Sequence, residues 1–141
     1  GVMPLPPYIT APLENPERYQ TVYSAATGSA AAPTAGLHWT PALIERVQAL
    51  GVTWATVTLH GGLDTFRPVQ TDNVLDHTMH SEWYDLPAAT AAAINQARAS
   101  GGRVIAVGTT SVRVLETVGR NQQSAEIVPE AGWTDIFIYP P

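Results

Sequence analysis

Arg103-Val104-Ile105-Ala106-Val107-Gly108-Thr109-Thr110-Ser111-Val112-Arg113-Val114-Leu115-Glu116-Thr117-Val118 decides how the fold is read. Arg103 to Val107 reads as a buried strand, Gly108 breaks it, and Val112, Leu115 and Val118 then recur at helical spacing. Strand, polar turn and helix in that order form the repeating unit of an α/β protein. Upstream, Thr40 reads as an N-cap with Pro41 at the first helical position, and Leu43, Val47 and Leu50 form one stripe before Gly51. Val52 to Leu59 is rich in β-branched residues and reads as a strand. Pro87 opens a further helix through about Ser100, stopped by Gly101-Gly102, and Asp135 to Tyr139 reads as a last strand. The expected fold is α/β, with alternating strand-helix units, a mainly parallel sheet and right-handed crossovers, equivalent to half a barrel or half a doubly wound sheet.

The segments between carry less signal. Residues 1–18 are proline-rich and read as an extended lead-in. Tyr19 to Tyr23 reads equally as a short strand or a last helical turn, and Ser29 to Ala32 as a strand end. His60 to Asp85 is long and lacks a period, the mark of a functional loop in a compact domain.

Composition narrows the classes. Hydrophobic residues make up 45% of the 141 residues but charged ones only 13%, about half the usual share. The surface is then covered by Ala, Thr, Ser, Gln and Pro, or by something else. The apolar ends, Gly1 to Pro7 and Ile136 to Pro141, read as those of a piece of a larger protein. The net charge is −5 and every basic residue is an arginine, which argues against broad nonspecific nucleic-acid binding. Without cysteine there is no disulfide, thiolate zinc site or cysteine nucleophile. No run has the length of a membrane span and no signal peptide is visible, so a cytoplasmic protein is expected.

All the histidines lie in four polar, glycine-punctuated stretches that follow apolar runs: residues 31–38, 60–68, 77–82 and 108–113. From a parallel sheet, all these loops would leave on one side and build a pocket there. Gly108-Thr109-Thr110-Ser111 suits an anion at a helix N-terminus, or is a plain turn capped by Thr110 or Ser111. His77, His80 and Glu82 allow a metal site, an acid/base histidine oriented by a carboxylate, or a polar surface loop. His60 precedes Gly61-Gly62, where backbone can approach a ligand closely, and His38 stands just ahead of a helix start. Either of these two alone is more often a satisfied core or capping residue than a catalyst.

The stretches Met3 to Ile9, Tyr19 to Tyr23, Ala31 to His38, Thr58 to His60 with Thr65-Phe66 and Pro68-Val69, His77 to Glu82, Ala106 to Arg113 with Leu115-Glu116, and Phe137 to Pro140 resemble the S-adenosylmethionine:tRNA ribosyltransferase-isomerase family of queuosine biosynthesis. They keep the family's order and spacing over nearly the whole chain. Gly61 where the family has Val, Trp39 where Phe is common, and Pro141 where Gly follows Tyr-Pro are departures. The resemblance implies a single partial α/β domain over 1–141, the central part of a barrel-like catalytic domain. The N-terminal part, an inserted β-barrel and the C-terminal segment would be absent.

The reaction so implied moves and isomerises the ribosyl part of S-adenosylmethionine onto 7-aminomethyl-7-deazaguanine at the tRNA wobble position. Epoxyqueuosine-tRNA forms, with release of adenine and methionine. S-adenosylmethionine is a consumed substrate, and no cofactor or metal is expected. His80 or His60 is the expected base at the carbon beside the sulfonium, with Glu82 as orienting partner or alternative base. Asp64 is assigned to the ribose hydroxyls, and Thr109, Thr110, Ser111 and Arg113 to the methionine carboxylate. Arg67 is assigned to an RNA phosphate or that carboxylate, and His38 to substrate binding. The competing readings are a noncatalytic remnant that binds only nucleotide or RNA, and a metal-dependent hydrolase using His77, His80 and Glu82. A half-barrel standing alone would expose strand edges, so self-association or further chain would have to cover them.

Overall fold

In the computed structural model, which describes residues 5–62 and 78–140, the sheet is antiparallel. It has three strands in the order β1 (Thr58–His60), β2 (Glu82–Leu86) and β3 (Glu130–Thr134). β2 is central and pairs antiparallel with both neighbours, Leu59 opposite Tyr84 and Tyr84 opposite Gly132. This overturns the expected mainly parallel, barrel-like architecture.

The cause lies in the stretch that decided the reading. Arg103 to Val107 belongs to no ladder, and Ile105 is 72% exposed. Its neighbours α2 (Ala88–Ala99) and α3 (Thr109–Gln122) therefore follow one another between β2 and β3, and no strand-helix-strand crossover remains among the described residues. Of Val52 to Leu59, only the last two residues enter β1. The two ladders instead use Glu82 to Leu86, which sequence reasoning placed almost wholly in a loop, and Glu130 to Thr134, just ahead of the expected Asp135 to Tyr139.

β2 alternates as a half-buried strand should. Glu82, Tyr84 and Leu86 are buried, while Trp83 and Asp85 face the other side. Pro87, lacking an N–H, ends it. The inward face forms the core: Tyr84 and Leu86 pack with Ala91 and Ile94 of α2 and Val114 and Val118 of α3, flanked by Val57, Leu59, Leu115 and Ile127. Both helices thus lie on one face. Asn95 of α2 clamps the chain leading to β3, donating to the Ile127 carbonyl at 2.7 Å and accepting from its N–H at 2.9 Å.

The helices form for local reasons. In α1 (Pro41–Ala49) the Thr40 hydroxyl accepts from the Leu43 N–H at 3.1 Å, and Gly51 turns the chain at φ +86°. Its stripe is not packed into the core, and Leu50 is 83% exposed. α3 starts from Gly108 at φ +86°, a conformation that favours glycine, with no side-chain cap; neither Thr110 nor Ser111 serves as one. Short 3-10 turns at Pro16–Tyr19 and Thr34–His38 complete the described secondary structure.

Candidate active site

One end of the sheet gathers the polar stretches. The register sets His60 opposite Trp83 and Glu82 opposite Thr134, so β1 ends, β2 begins and β3 ends together. α3 starts at that same end. Arg113, in its second turn, reaches Thr134, whereas Asn121 and Gln122 near its C-terminus reach Glu130 at the start of β3.

At this end, on the helix-covered face, three charged or titratable side chains form a chain of contacts. His80 Nε2 lies 3.1 Å from Glu82 Oε1. The other carboxylate oxygen, Oε2, lies 3.1 Å from Arg113 Nε. The Glu82 side chain is 5% exposed, that of Arg113 12% and that of His80 27%. The carboxylate is therefore buried against a cation while the imidazole keeps a solvent-facing part. A buried carboxylate is tolerable only with such partners.

The same guanidinium directs Nη2 to the backbone oxygens of Thr134 and His80, at 3.4 and 3.5 Å. Thr117 donates to the Arg113 carbonyl at 2.8 Å, so its oxygen is left to accept from the Thr134 hydroxyl 2.7 Å away. This buried threonine pair fixes α3 against the end of β3.

His60 lies elsewhere. As the direct partner of Trp83 it shares the outward face of the sheet, and their rings stand 5.1 Å apart at 60°. Behind it, Gly28 packs so closely at φ +133° that a Cβ there would stand 2.4 Å from His60 Nδ1. Ser29 ties this segment to the strand end, accepting from the Gly61 N–H at 3.2 Å, while the Ala30 N–H donates to the Gly61 carbonyl at 2.8 Å. The register keeps the histidines from meeting as expected: His60 shares the outward face with Trp83, while His80 contacts the inward-facing Glu82.

The remaining candidates are placed separately. His38 is exposed at the end of its 3-10 turn, and that turn meets α3 where a Cβ on Gly108 would come within 3.2 Å of the Ala35 Cβ. Thr109 is exposed, Thr110 half-buried, and the Ser111 hydroxyl donates to the Val107 carbonyl at 3.1 Å. Asp64, Arg67 and His77 lie outside the described residues. Among the described residues no group of three His, Cys, Asp or Glu side chains converges, and no helix is long and apolar enough to cross a membrane. Two open grooves among the described residues lie away from the cluster, one along Leu43, Val47 and Leu50, the other between α2 and residues 125–129.

Sequence reasoning missed a second polar network, at the far end of β3. Tyr84 donates to Glu130 Oε1, Asn121 Nδ2 donates to both, and Gln122 donates to Glu130 Oε2 at 2.9 Å. Burial pushes the Tyr84 phenol up to about 12, helped by the hydrogen bond to Glu130 and its charge. Burial raises the Glu130 carboxyl, but hydrogen bonds from Tyr84, Asn121 and Gln122 outweigh it, and the net direction is down. The two shifts describe one interaction, a neutral phenol donating to a carboxylate. The aromatic pair Trp83-Tyr84 before a proline was the available strand signal.

The whole chain, residues 1–141, matches the family described as Queuosine biosynthesis protein. Proteins named S-adenosylmethionine:tRNA ribosyltransferase-isomerase from Staphylococcus saprophyticus and Natranaerobius thermophilus are each 59% identical over 140 residues, covering 99% of this chain and 40% of their own. One of the same name from Macrococcus caseolyticus is 57% identical over 140 residues, covering 99% of this chain and 41% of its own. The chain thus spans about two fifths of the length of these curated relatives.

Proposed function

The chain belongs to the queuosine biosynthesis protein family, and on that premise we propose that it is a portion of an S-adenosylmethionine:tRNA ribosyltransferase-isomerase carrying part of the reaction centre. The substrates are then S-adenosylmethionine, which is consumed, and tRNA bearing 7-aminomethyl-7-deazaguanine at the wobble position. The ribosyl group passes to the tRNA base with rearrangement to epoxyqueuosine, and adenine and methionine leave. No resident cofactor or metal enters this reading, and its place of action is the cytoplasm.

The observation that carries it is the His80–Glu82 contact at 3.1 Å, with the carboxylate buried. With Nε2–H donated to Glu82, His80 Nδ1 keeps its lone pair. That nitrogen is the base that takes a proton from the carbon beside the sulfonium, where the positive sulfur stabilises the electron pair left behind. His60, packed on Trp83 on the outward face, has no carboxylate beside it among the described residues and is not the base in this reading.

The first turn of α3 offers backbone N–H groups at Thr109 and Thr110 to the methionine carboxylate, with the Ala31 to His38 stretch beside it at Ala35. Ser111 contributes there through its backbone, since its hydroxyl is bonded to Val107. Asp64 for the ribose hydroxyls and Arg67 for an RNA phosphate complete the proposed set.

The test is adenine release. The protein carrying this chain, given S-adenosylmethionine and tRNA with the aminomethyl base, should free adenine in step with the gain in tRNA mass. Adenine release no greater than in a control without tRNA would remove the reading.

A further inference from the structure

Arg113 is the residue whose place in the structure departs most from its expected role. Sequence reasoning aims it at a substrate carboxylate, yet its side chain is only 12% exposed and its guanidinium is turned onto the protein's own acceptors: Glu82 Oε2 at 3.1 Å, and the backbone oxygens of Thr134 and His80 at 3.4 and 3.5 Å. We infer that Arg113 is a positioning residue, which acts through Glu82 to set the orientation of His80 rather than by binding substrate. This rests on the reading of His80 as the base.

The geometry supplies the reason. A carboxylate has two oxygens, and here each is taken by a different partner, Oε2 by Arg113 and Oε1 by His80. The Arg113 charge beside Oε2, an ion pair at 3.1 Å in which Nε makes no hydrogen bond among the described residues, biases the rotation of the carboxylate and hence the direction in which Oε1 accepts from the imidazole. The guanidinium also offsets the cost of burying the carboxylate charge. Its contact with the His80 carbonyl ties the backbone of the same residue, so Arg113 holds the main chain directly and the ring through Glu82.

The anchor is itself anchored. The Arg113 carbonyl accepts from Thr117, Thr117 accepts from Thr134, and the Thr134 carbonyl accepts from Arg113, a closed circuit between α3 and β3. Lysine could supply the charge but not the planar fork that meets a carboxylate and carbonyls together.

The experiment uses the full protein with Arg113→Lys, Arg113→Met, Glu82→Gln and the double variant Arg113→Met/Glu82→Gln. For adenine release, Arg113→Met should lower kcat by on the order of 10²-fold with KM for S-adenosylmethionine within about twofold of the parent. Arg113→Lys should recover part of the loss, and the double variant should be no worse than the worse single one. A KM raised about tenfold at unchanged kcat would make Arg113 a substrate ligand and overturn the inference. So would losses that multiply in the double variant.

Urea unfolding of the same four proteins reads the pair without any turnover. The Arg113 and Glu82 changes should be non-additive in stability, and additivity would overturn the pairing. If the parent protein releases no adenine, the proposed function fails while this cycle still decides the pair.

Discussion

His60 and Glu82 stand at the same end of the sheet on adjacent strands, yet they face opposite sides of it. The register makes His60 the partner of Trp83, so the ring joins the outward face, while Glu82, one residue earlier, turns inward to meet His80 and Arg113. The histidines that sequence reasoning offered as alternative bases thus have different neighbours: an indole and a glycine for one, a buried carboxylate for the other.

The glycine behind His60 should be intolerant. Gly28→Ala meets both a φ of +133° and an overlap with the imidazole, and should lower stability by about 1–3 kcal/mol in urea unfolding. Removing the ring as well, in Gly28→Ala/His60→Ala, should restore only part of the loss, because the overlap is relieved and the backbone strain is not. Full recovery would show that the φ costs nothing.

The Tyr84–Glu130 network should give stability a pH dependence at both extremes. The folded-state phenol titrates at about 12 against 10.0 when unfolded, so its contribution is complete below pH 10 and is lost as pH rises toward 12. Full loss amounts to roughly 2–3 kcal/mol. The Glu130 carboxyl titrates below the ordinary glutamate range, so its contribution is complete above that range and is lost as pH falls through the folded-state value. Tyr84→Phe should flatten the alkaline limb and Glu130→Gln the acid limb when urea unfolding is repeated across pH. Unchanged limbs would mean that the network is not formed.

Leu86 is fully buried at the centre of the packing between β2 and the two helices. Leu86→Ala should cost about 2–5 kcal/mol, transfer and cavity together. Leu50→Ala, at a site 83% exposed, should cost under about 0.5 kcal/mol in the same assay.

The helices were legible because their signals are local. Thr40-Pro41 and the Val112, Leu115, Val118 spacing act within a turn or two of the residues they order. Strand partnership is not local. Arg103 to Val107 has the composition of a buried strand, but a run enters a ladder only if another strand lies beside it, and its own residues do not say so. Glu82 to Leu86 is the converse, a central strand whose two acidic residues disguised it as a loop. At the site, the spacing of His80 and Glu82 was enough to suggest a pair, since residues two apart share a face in extended chain. Placing Arg113 beside them required the docking of α3 on the sheet, and placing His60 opposite them required the register.

The most direct measurement compares His80→Ala with His60→Ala in adenine release from S-adenosylmethionine on the tRNA substrate, using the full protein. His80→Ala should lose about 10²–10⁴-fold in kcat, the contribution expected of a positioned base, while His60→Ala should stay within about tenfold of the parent. Near-normal turnover by His80→Ala, with the large loss falling on His60→Ala instead, would contradict the assignment and move the base to the outward face of the sheet.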